Sequence, residues 1–328
     1  MEKWKYVISI LALLLNMPSF GWSNEDATEM ASVFGYYIGQ NATLEKVMQQ
    51  HPTLLHDAFN AKRCFDMKFN RSFKYVEEQL FAHTDGALKA QMIENIKGNL
   101  LEKISLVDAT NFVSRVMERC NGNMEEGMLE AFSRFNPTFI ESPLSEWSQG
   151  FLKRYMAYDH PKAKGLNFEM SYPASWVAKE ANRPNIVQKF IKVNDEQFLM
   201  FQVLVFKLPY DGDVLSEADV KELLQRDNLN ELMEGLPILG AGFYPLETYP
   251  GIWVESKMSQ SRGRHKVEAQ LMNYFIFTPK YLVLMQGHVS TSFGDKQLKA
   301  DKERAFLLFD QISNSLMIRD NYINQDGI

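Results

Sequence analysis

Residues 168–191 read FEMSYPASWVAKEANRPNIVQKFI, and the reading of this stretch decides how the second half of the chain is understood. Phe168-Glu-Met-Ser-Tyr172 alternates as a strand does, and Pro173, which has no N–H to give to a ladder, ends it. Trp176 can then fold back over the sheet edge as an aromatic lid. Ile186–Val193 resumes as the next strand. A proline stop, a tight turn and a returning strand put this part of the chain in β structure.

Downstream, the runs 186–193 and 198–207 are separated by Asn194-Asp195-Glu196, a hairpin signal. Ser216 with Asp219 three residues on opens a helix through about Leu224. Runs at 251–260, 267–277 and 281–289 follow, the last two joined by Thr278-Pro279-Lys280. In 267–277, Val267, Ala269, Leu271, Phe275 and Phe277 share one face at period two. The expected cover is the closing helix, with its stripe of Phe306, Phe309, Ile312 and Leu316. Hairpin strands with helices laid on them predict an antiparallel sheet and an α+β class.

Upstream the pattern changes. Pro137, Pro143, Pro161 and Gly165 punctuate a polar stretch, which places a domain boundary near residue 160. Residues 26–156 read as helical. Met30, Val33, Phe34, Tyr37 and Ile38, then Leu44, Val47 and Met48, keep a helical period, as do Leu88, Met92, Ile93, Ile96, Leu100 and Ile104. Asp108 reads as an N-cap, with Val107 and Phe112 as a hydrophobic staple, and Asn121-Gly122 as the stop. A further helix is expected from Asn123 to just before Asn136-Pro137. Gly35 and Gly39 allow close helix packing. With 328 residues, the chain exceeds what one core usually holds. The expected organisation is an all-α domain over 24–160 and a sheet domain with packed helices over 161–328.

Residues 1–23 carry a different signal. Lys3 and Lys5 precede an apolar run from Tyr6 to Leu15, then Pro18, then Gly21 and Ser23 two apart. This is the pattern of a secretory signal peptide cut after Ser23. The run is too short for a membrane span, which needs about 20 residues, and no later run spans one either. The expected location is periplasmic or secreted. In an oxidising compartment the two cysteines, Cys64 and Cys120, read as one disulfide.

The formal charge of −6 disfavours nucleic acid, whose phosphates reward basic surfaces. No Gly-x-Ser-x-Gly elbow occurs, and His51 and His56 are spaced wrongly for a zinc-protease helix. His83, His160, His265 and His288 stand singly. No cofactor or metal is implied. Gly240-Ala-Gly242 lacks the third glycine of a dinucleotide fingerprint, having Pro245 there, and reads as a turn. Tyr210-Asp-Gly-Asp213 lacks calcium-loop spacing and also reads as a turn. Arg262, Arg264, His265 and Lys266 form a concentrated basic cluster. It reads as a solvated hairpin loop or as a contact for an anionic partner or lipid headgroup.

The order Gly165, Phe168, Tyr172, Pro173, Trp176 and then a strand resembles the start of PsbP-like domains, the extrinsic photosystem proteins and their relatives. Gly251-Ile-Trp-Val-Glu255 as a central strand, the 267–289 hairpin and a final helix through Phe309, Ile312 and Leu316 continue the resemblance over about 165–318. It implies a non-catalytic module that binds or stabilises other proteins, although the helical half has no counterpart there and a photosystem role does not fit. The expectation is therefore an exported accessory protein of a bacterial envelope acting on a protein partner. Two other readings remain open: a small-ligand binder or enzyme with a site between the domains, and a peripheral membrane protein using the basic turn.

Overall fold

The computed structural model describes residues 24–82, 86–100, 102–125, 127–193, 197–208, 215–262, 265–291 and 295–319, and the chain divides into two units between Glu141 and Ser142. The proposed signal segment lies outside the described residues.

The first unit is helical. Helices α1 (Asn24–Gln50) and α2 (Leu55–Phe81) are long, and α3 (Gly86–Gly98), α4 (Leu106–Cys120), α5 (Met128–Arg134) and α6 (Pro137–Glu141) follow. Met30, Val33, Phe34, Tyr37, Leu44 and Val47 from α1 and Ala58, Ala61, Phe65, Phe69, Phe73 and Val76 from α2 are all buried. Aromatic rings join the two faces, with Tyr37 stacked on Phe73 at 4.0 Å and Phe34 on Phe73 at 5.7 Å. Each buried ring contributes roughly 1.5–3 kcal/mol by leaving water. Cys64 and Cys120 stand at disulfide distance, with Cα atoms 5.9 Å apart, and link α2 to the end of α4.

Three local expectations are corrected here. Ser105, not Asp108, caps α4: its Oγ accepts from Asp108 N at 3.1 Å and donates to Asp108 Oδ2 at 2.7 Å, so Asp108 is the third helical residue of a reciprocal cap. The helix expected from Asn123 starts instead at Met128, because Gly122 and Gly127 both take positive φ and hold a loop between them. The stripe expected to run to Ile104 is cut at Gly98.

The second unit opens with α7 (Pro143–Ser148) and then a strand, β1 (Leu152–Ala157), where a helix was expected. Leu152 through Ala157 pairs antiparallel with Pro173 through Phe168 of β2 (Phe168–Pro173), so a tertiary ladder overrides local preference. This pairing draws residues 142–157 into the second unit, upstream of the boundary read near 160. After β3 (Val177–Lys179), β4 (Ile186–Val193) and β5 (Gln197–Lys207) come α8 (Glu217–Glu222) and α9 (Arg226–Leu232), then β6 (Ile238–Phe243), β7 (Gly251–Arg262), β8 (His265–Phe277), β9 (Tyr281–Thr291), α10 (Asp295–Asn314) and β10 (Met317–Ile318). The predicted capping box is present, with Ser216 and Asp219 exchanging hydrogen bonds at the start of α8. The class is α+β.

The strands form two antiparallel sheets, one ordered β1-β2-β10 and one ordered β3-β4-β5-β9-β8-β7-β6. The Pro-Ala-Ser-Trp corner therefore passes the chain from one sheet to the other, and β4 is not the ladder neighbour of β2. Nor is Trp176 a lid over a sheet edge. It is 1% exposed, edge-to-face against Phe309 of α10 at 6.4 Å, inside the main core.

The large sheet is covered on both faces, and the assignment of covers differs from the expectation. Helix α10 lies on the face of Tyr274, Met285 and Gly287, where a Cβ at Gly287 would collide with the Phe309 ring. Phe275 and Phe277 point the other way and pack with Ile252, Val254 and the helices α8 and α9 through Val220, Leu229 and Met233. Gly240-Ala-Gly242 is part of edge strand β6, not a turn. The Trp253 indole lies across these glycines, and a Cβ at Gly242 would fall 2.6 Å from its Nε1.

Candidate functional site

The residues of the opening motif are architectural. Gly165 has φ 96°, and Tyr281 Oη donates to the Lys164 carbonyl beside it at 3.0 Å. Phe168 is fully buried, and the Tyr172 ring sits 4.5 Å from that of Phe190. Pro173 closes β2 opposite Leu152. Beneath this corner is a group that the sequence does not announce. Glu146, on α7, is 0% exposed, and its two oxygens accept from Ser175 N at 2.6 Å and Ser175 Oγ at 2.7 Å. Burial pushes its carboxyl up to about 7, against the opposing pull of the Lys192 ammonium and the Ser175 hydrogen bonds. Lys192 is itself buried and held below its ordinary range by desolvation, with Glu146 opposing.

Two further polar constellations lie in the second unit. On the α8–α9 face of the large sheet, Gln202 Nε2 donates to Gln286 Oε1 at 2.7 Å, and Gln286 Nε2 donates to Asn273 Oδ1 at 2.6 Å. Asn273 Nδ2 donates to the Val254 carbonyl at 3.0 Å. His288 Nε2 sits 2.7 Å from Gln286 Oε1, and burial, helped by Lys189, pushes its pKa down to about 4. The ring is neutral at pH 7 and donates through Nε2 to an amide already satisfied by its neighbours, so the row reads as a self-satisfied network. Between α10 and the sheet, Tyr274 Oη donates to Asp310, and Tyr244 Oη hydrogen-bonds Ser313 Oγ at 2.8 Å and Asn314 Oδ1 at 2.7 Å. Burial raises Tyr274 well above its ordinary range, Tyr244 to about 12 and Asp310 upward. These tyrosines stay protonated and act as hydrogen-bond donors.

A groove opens in the helical unit. It measures about 330 Å³ and lies between the start of α2 and the middle of α4, lined by Leu54, Asp57, Asn60, Thr110, Val113, Ser114 and Met117. Its frame is fixed at both ends. At one end Gln50 Nε2 donates to the Glu102 carbonyl at 2.7 Å, Ile104 N donates to Gln50 Oε1 at 2.9 Å, and His51 Nε2 meets the Ile104 carbonyl at 2.8 Å. At the other end the Cys64–Cys120 pair joins the same two helices. Helix α4 leaves apolar side chains open on this side. Leu106 is one turn before Thr110 and 53% exposed, Val107 is two turns before Ser114 and 69% exposed, and Met117 is 39% exposed.

Of the expected contact cluster, the backbone of Arg262 pairs with His265 and that of Ser261 with Lys266, where β7 turns into β8. Arg264, the side chains of Arg262, His265 and Lys266, the Tyr210–Asp213 segment and His83 lie outside the described residues. Sequence reading missed the groove because its lining alternates apolar and small polar residues from segments fifty residues apart. It missed Glu146 because nothing local marks a glutamate as buried. Among the described residues no group of three or more His, Cys, Asp or Glu side chains is placed to hold a metal ion, and no helix is long and apolar enough to cross a membrane.

No family model matches the chain, and no curated protein matches it. Among solved structures, a protein from Bacteroides thetaiotaomicron is similar at 16% identity and a TM-score of 0.27, over 51% of this chain and 48% of that one. LpqN, described as involved in cell envelope biogenesis of Mycobacterium tuberculosis, is similar at 13% identity and a TM-score of 0.32, over 52% of this chain and 93% of LpqN. The match thus spans about half of the Bacteroides protein. At such identities and TM-scores neither structure defines the role of this chain.

Proposed function

We propose that this chain is an exported, non-catalytic accessory protein of a bacterial envelope that binds a protein partner through the groove between α2 and α4. The observation that carries the reading is the groove itself, bounded by a disulfide-linked pair at one end and by side-chain hydrogen bonds at the other, with Met117 exposed in its lining and Leu106 and Val107 exposed on the preceding turns of α4. Apolar side chains left open beside a groove favour a docking role. An amphipathic segment laid along two parallel helices would cover it. Export is supported by the signal-peptide pattern of residues 1–23 and by two cysteines at disulfide distance. The second unit, with its resemblance to PsbP-like domains, serves in this reading as a second binding module.

The test is a photo-crosslinking amino acid placed at Thr110 or Ser114 in the chain expressed in its own organism, followed by purification from the envelope and secreted fractions. One discrete crosslinked protein is expected, and Leu106→Asp combined with Met117→Asp removes it while leaving the helical circular dichroism intact. Undiminished crosslinking in the double variant overturns the proposal.

A further inference from the structure

The chemistry of the groove's polar lining specifies more than an apolar partner. Four of its residues are polar: Asp57, Asn60, Thr110 and Ser114. The Asn60 amide already donates through Nδ2 to His56 Nε2 at 3.0 Å. Thr110 Oγ1 donates to the Leu106 carbonyl at 2.9 Å, so its proton is used within α4. The amide oxygen of Asn60 and the lone pairs of Thr110 Oγ1 are left for a ligand. Asp57 adds the only formal charge in the lining, and an ionised carboxylate accepts and cannot donate. Ser114 can accept or donate and Asn60 Nδ2 keeps a second N–H, so the polar wall offers both kinds of group around one negative charge.

Within the helical unit several carboxylates have basic partners: Asp66 is 3.6 Å from Lys62, Glu77 is 3.0 Å from Lys89, and Asp26 is 2.6 Å from Arg134. Among the described residues none of the ion pairs includes Asp57, which stands exposed in the first turn of α2. The helix dipole stabilises it there, but that does not use its acceptor oxygens. An acidic or phosphorylated ligand would meet like charge at Asp57. A neutral apolar segment would desolvate Asp57 with no return. A lysine or arginine matches both halves of the site, because its alkyl stem can lie on Leu54, Val113 and Met117 while its head reaches Asp57. The volume, near the low end of the roughly 300–1,000 Å³ typical of ligand pockets, suits a few side chains of a peptide.

We infer that the partner segment filling this groove carries a basic side chain within an apolar stripe, and that its cation is read by Asp57 with Asn60 and Thr110. The inference rests on the docking reading above. Its test separates the two. Three fluorescent helical peptides with the same leucine stripe, differing at one flanking position as lysine, norleucine or glutamate, are titrated against the mature full chain and its Asp57→Asn variant. The lysine peptide is expected to bind about fivefold tighter than the norleucine peptide, as for a partly exposed ion pair, and the glutamate peptide weakest. Asp57→Asn, and separately raised salt, should erase the difference. Equal binding of all three peptides overturns the basic-residue inference and leaves apolar docking in place. Failure of all three to bind overturns both.

Discussion

Replacing Glu146 by glutamine should turn a nearly level pH dependence of the second unit's stability into a rising one. In the native chain, burial raises the Glu146 carboxyl from 4.5 to about 7. Between those values the folded state holds a proton that the unfolded state has lost, so unfolding free energy falls as pH rises, by about 1.4 kcal/mol per unit. The full swing is about 3 kcal/mol. His288 works in the opposite sense, because burial lowers it from 6.5 to about 4 and the folded state there carries fewer protons than the unfolded one. Stability from that group rises with pH across its window. Where the two windows overlap, from about pH 4.5 to 6.5, the slopes oppose and the native protein should be nearly level. Glu146→Gln removes one arm and exposes the other, so the variant should gain stability over the same range. Because Lys192 shares the site and the two titrate together, the quantity to read is the difference between variant and native chain. That difference should move by about 3 kcal/mol in favour of glutamine between pH 4.5 and 8. The assay is urea unfolding of residues 24–328 followed by tryptophan fluorescence at several pH values. Trp147, Trp176 and Trp253 all lie in the second unit, so the signal reports that unit alone. A difference that stays constant within about 0.5 kcal/mol across this range would refute the reasoning.

Other consequences can be measured with the same protein. Glu146→Ala leaves the Ser175 N–H and hydroxyl without their acceptor and should cost about 2–4 kcal/mol in that assay near pH 4.5, where the native carboxyl is protonated, the deficit shrinking toward pH 8 as for glutamine, whereas a loss below about 1 kcal/mol at pH 4.5 contradicts the clamp. Cys64→Ser opens a link across 56 residues and should lower the stability of the helical unit by about 4 kcal/mol, read by far-ultraviolet circular dichroism. Gly287→Ala drives a methyl into the Phe309 ring and should cost about 1–3 kcal/mol, with α10 losing amide-exchange protection first.

Much of the second unit is readable from sequence because its signals are local. The capping box at Ser216 and Asp219, the β4–β5 pair and the long β7–β9 strands stand close to where alternation and capping place them. The errors arise where a local pattern admits two partners. Strand β8 is apolar on both sides, with Leu271, Phe275 and Phe277 on one and Met272, Tyr274 and Ile276 on the other. Period two shows that the faces differ but not which helix covers which. Leu152–Ala157 becomes a strand only because β2 is there to receive it. His288 reads as isolated since Gln202 lies 86 residues away, and the polar wall of the groove is visible only when α2 and α4 are side by side.

The small sheet also sets the order in which the protein can be completed. Strand β2 is flanked by β1, made just before it, and by β10, where Met317 pairs with Glu169 and Ile318 with Phe168. Ser315 Oγ accepts from Ser171 N, and Arg319 N donates to the Asn167 carbonyl. During synthesis from the N-terminus, one side of β2 must therefore remain unpaired until some 150 further residues have been added. The ribosome finishes the large sheet before the small one can close, which leaves an adherent edge exposed while nearly half of these 328 residues are added. A chaperone that holds extended chains would find its natural purchase on residues 168–173 during that interval.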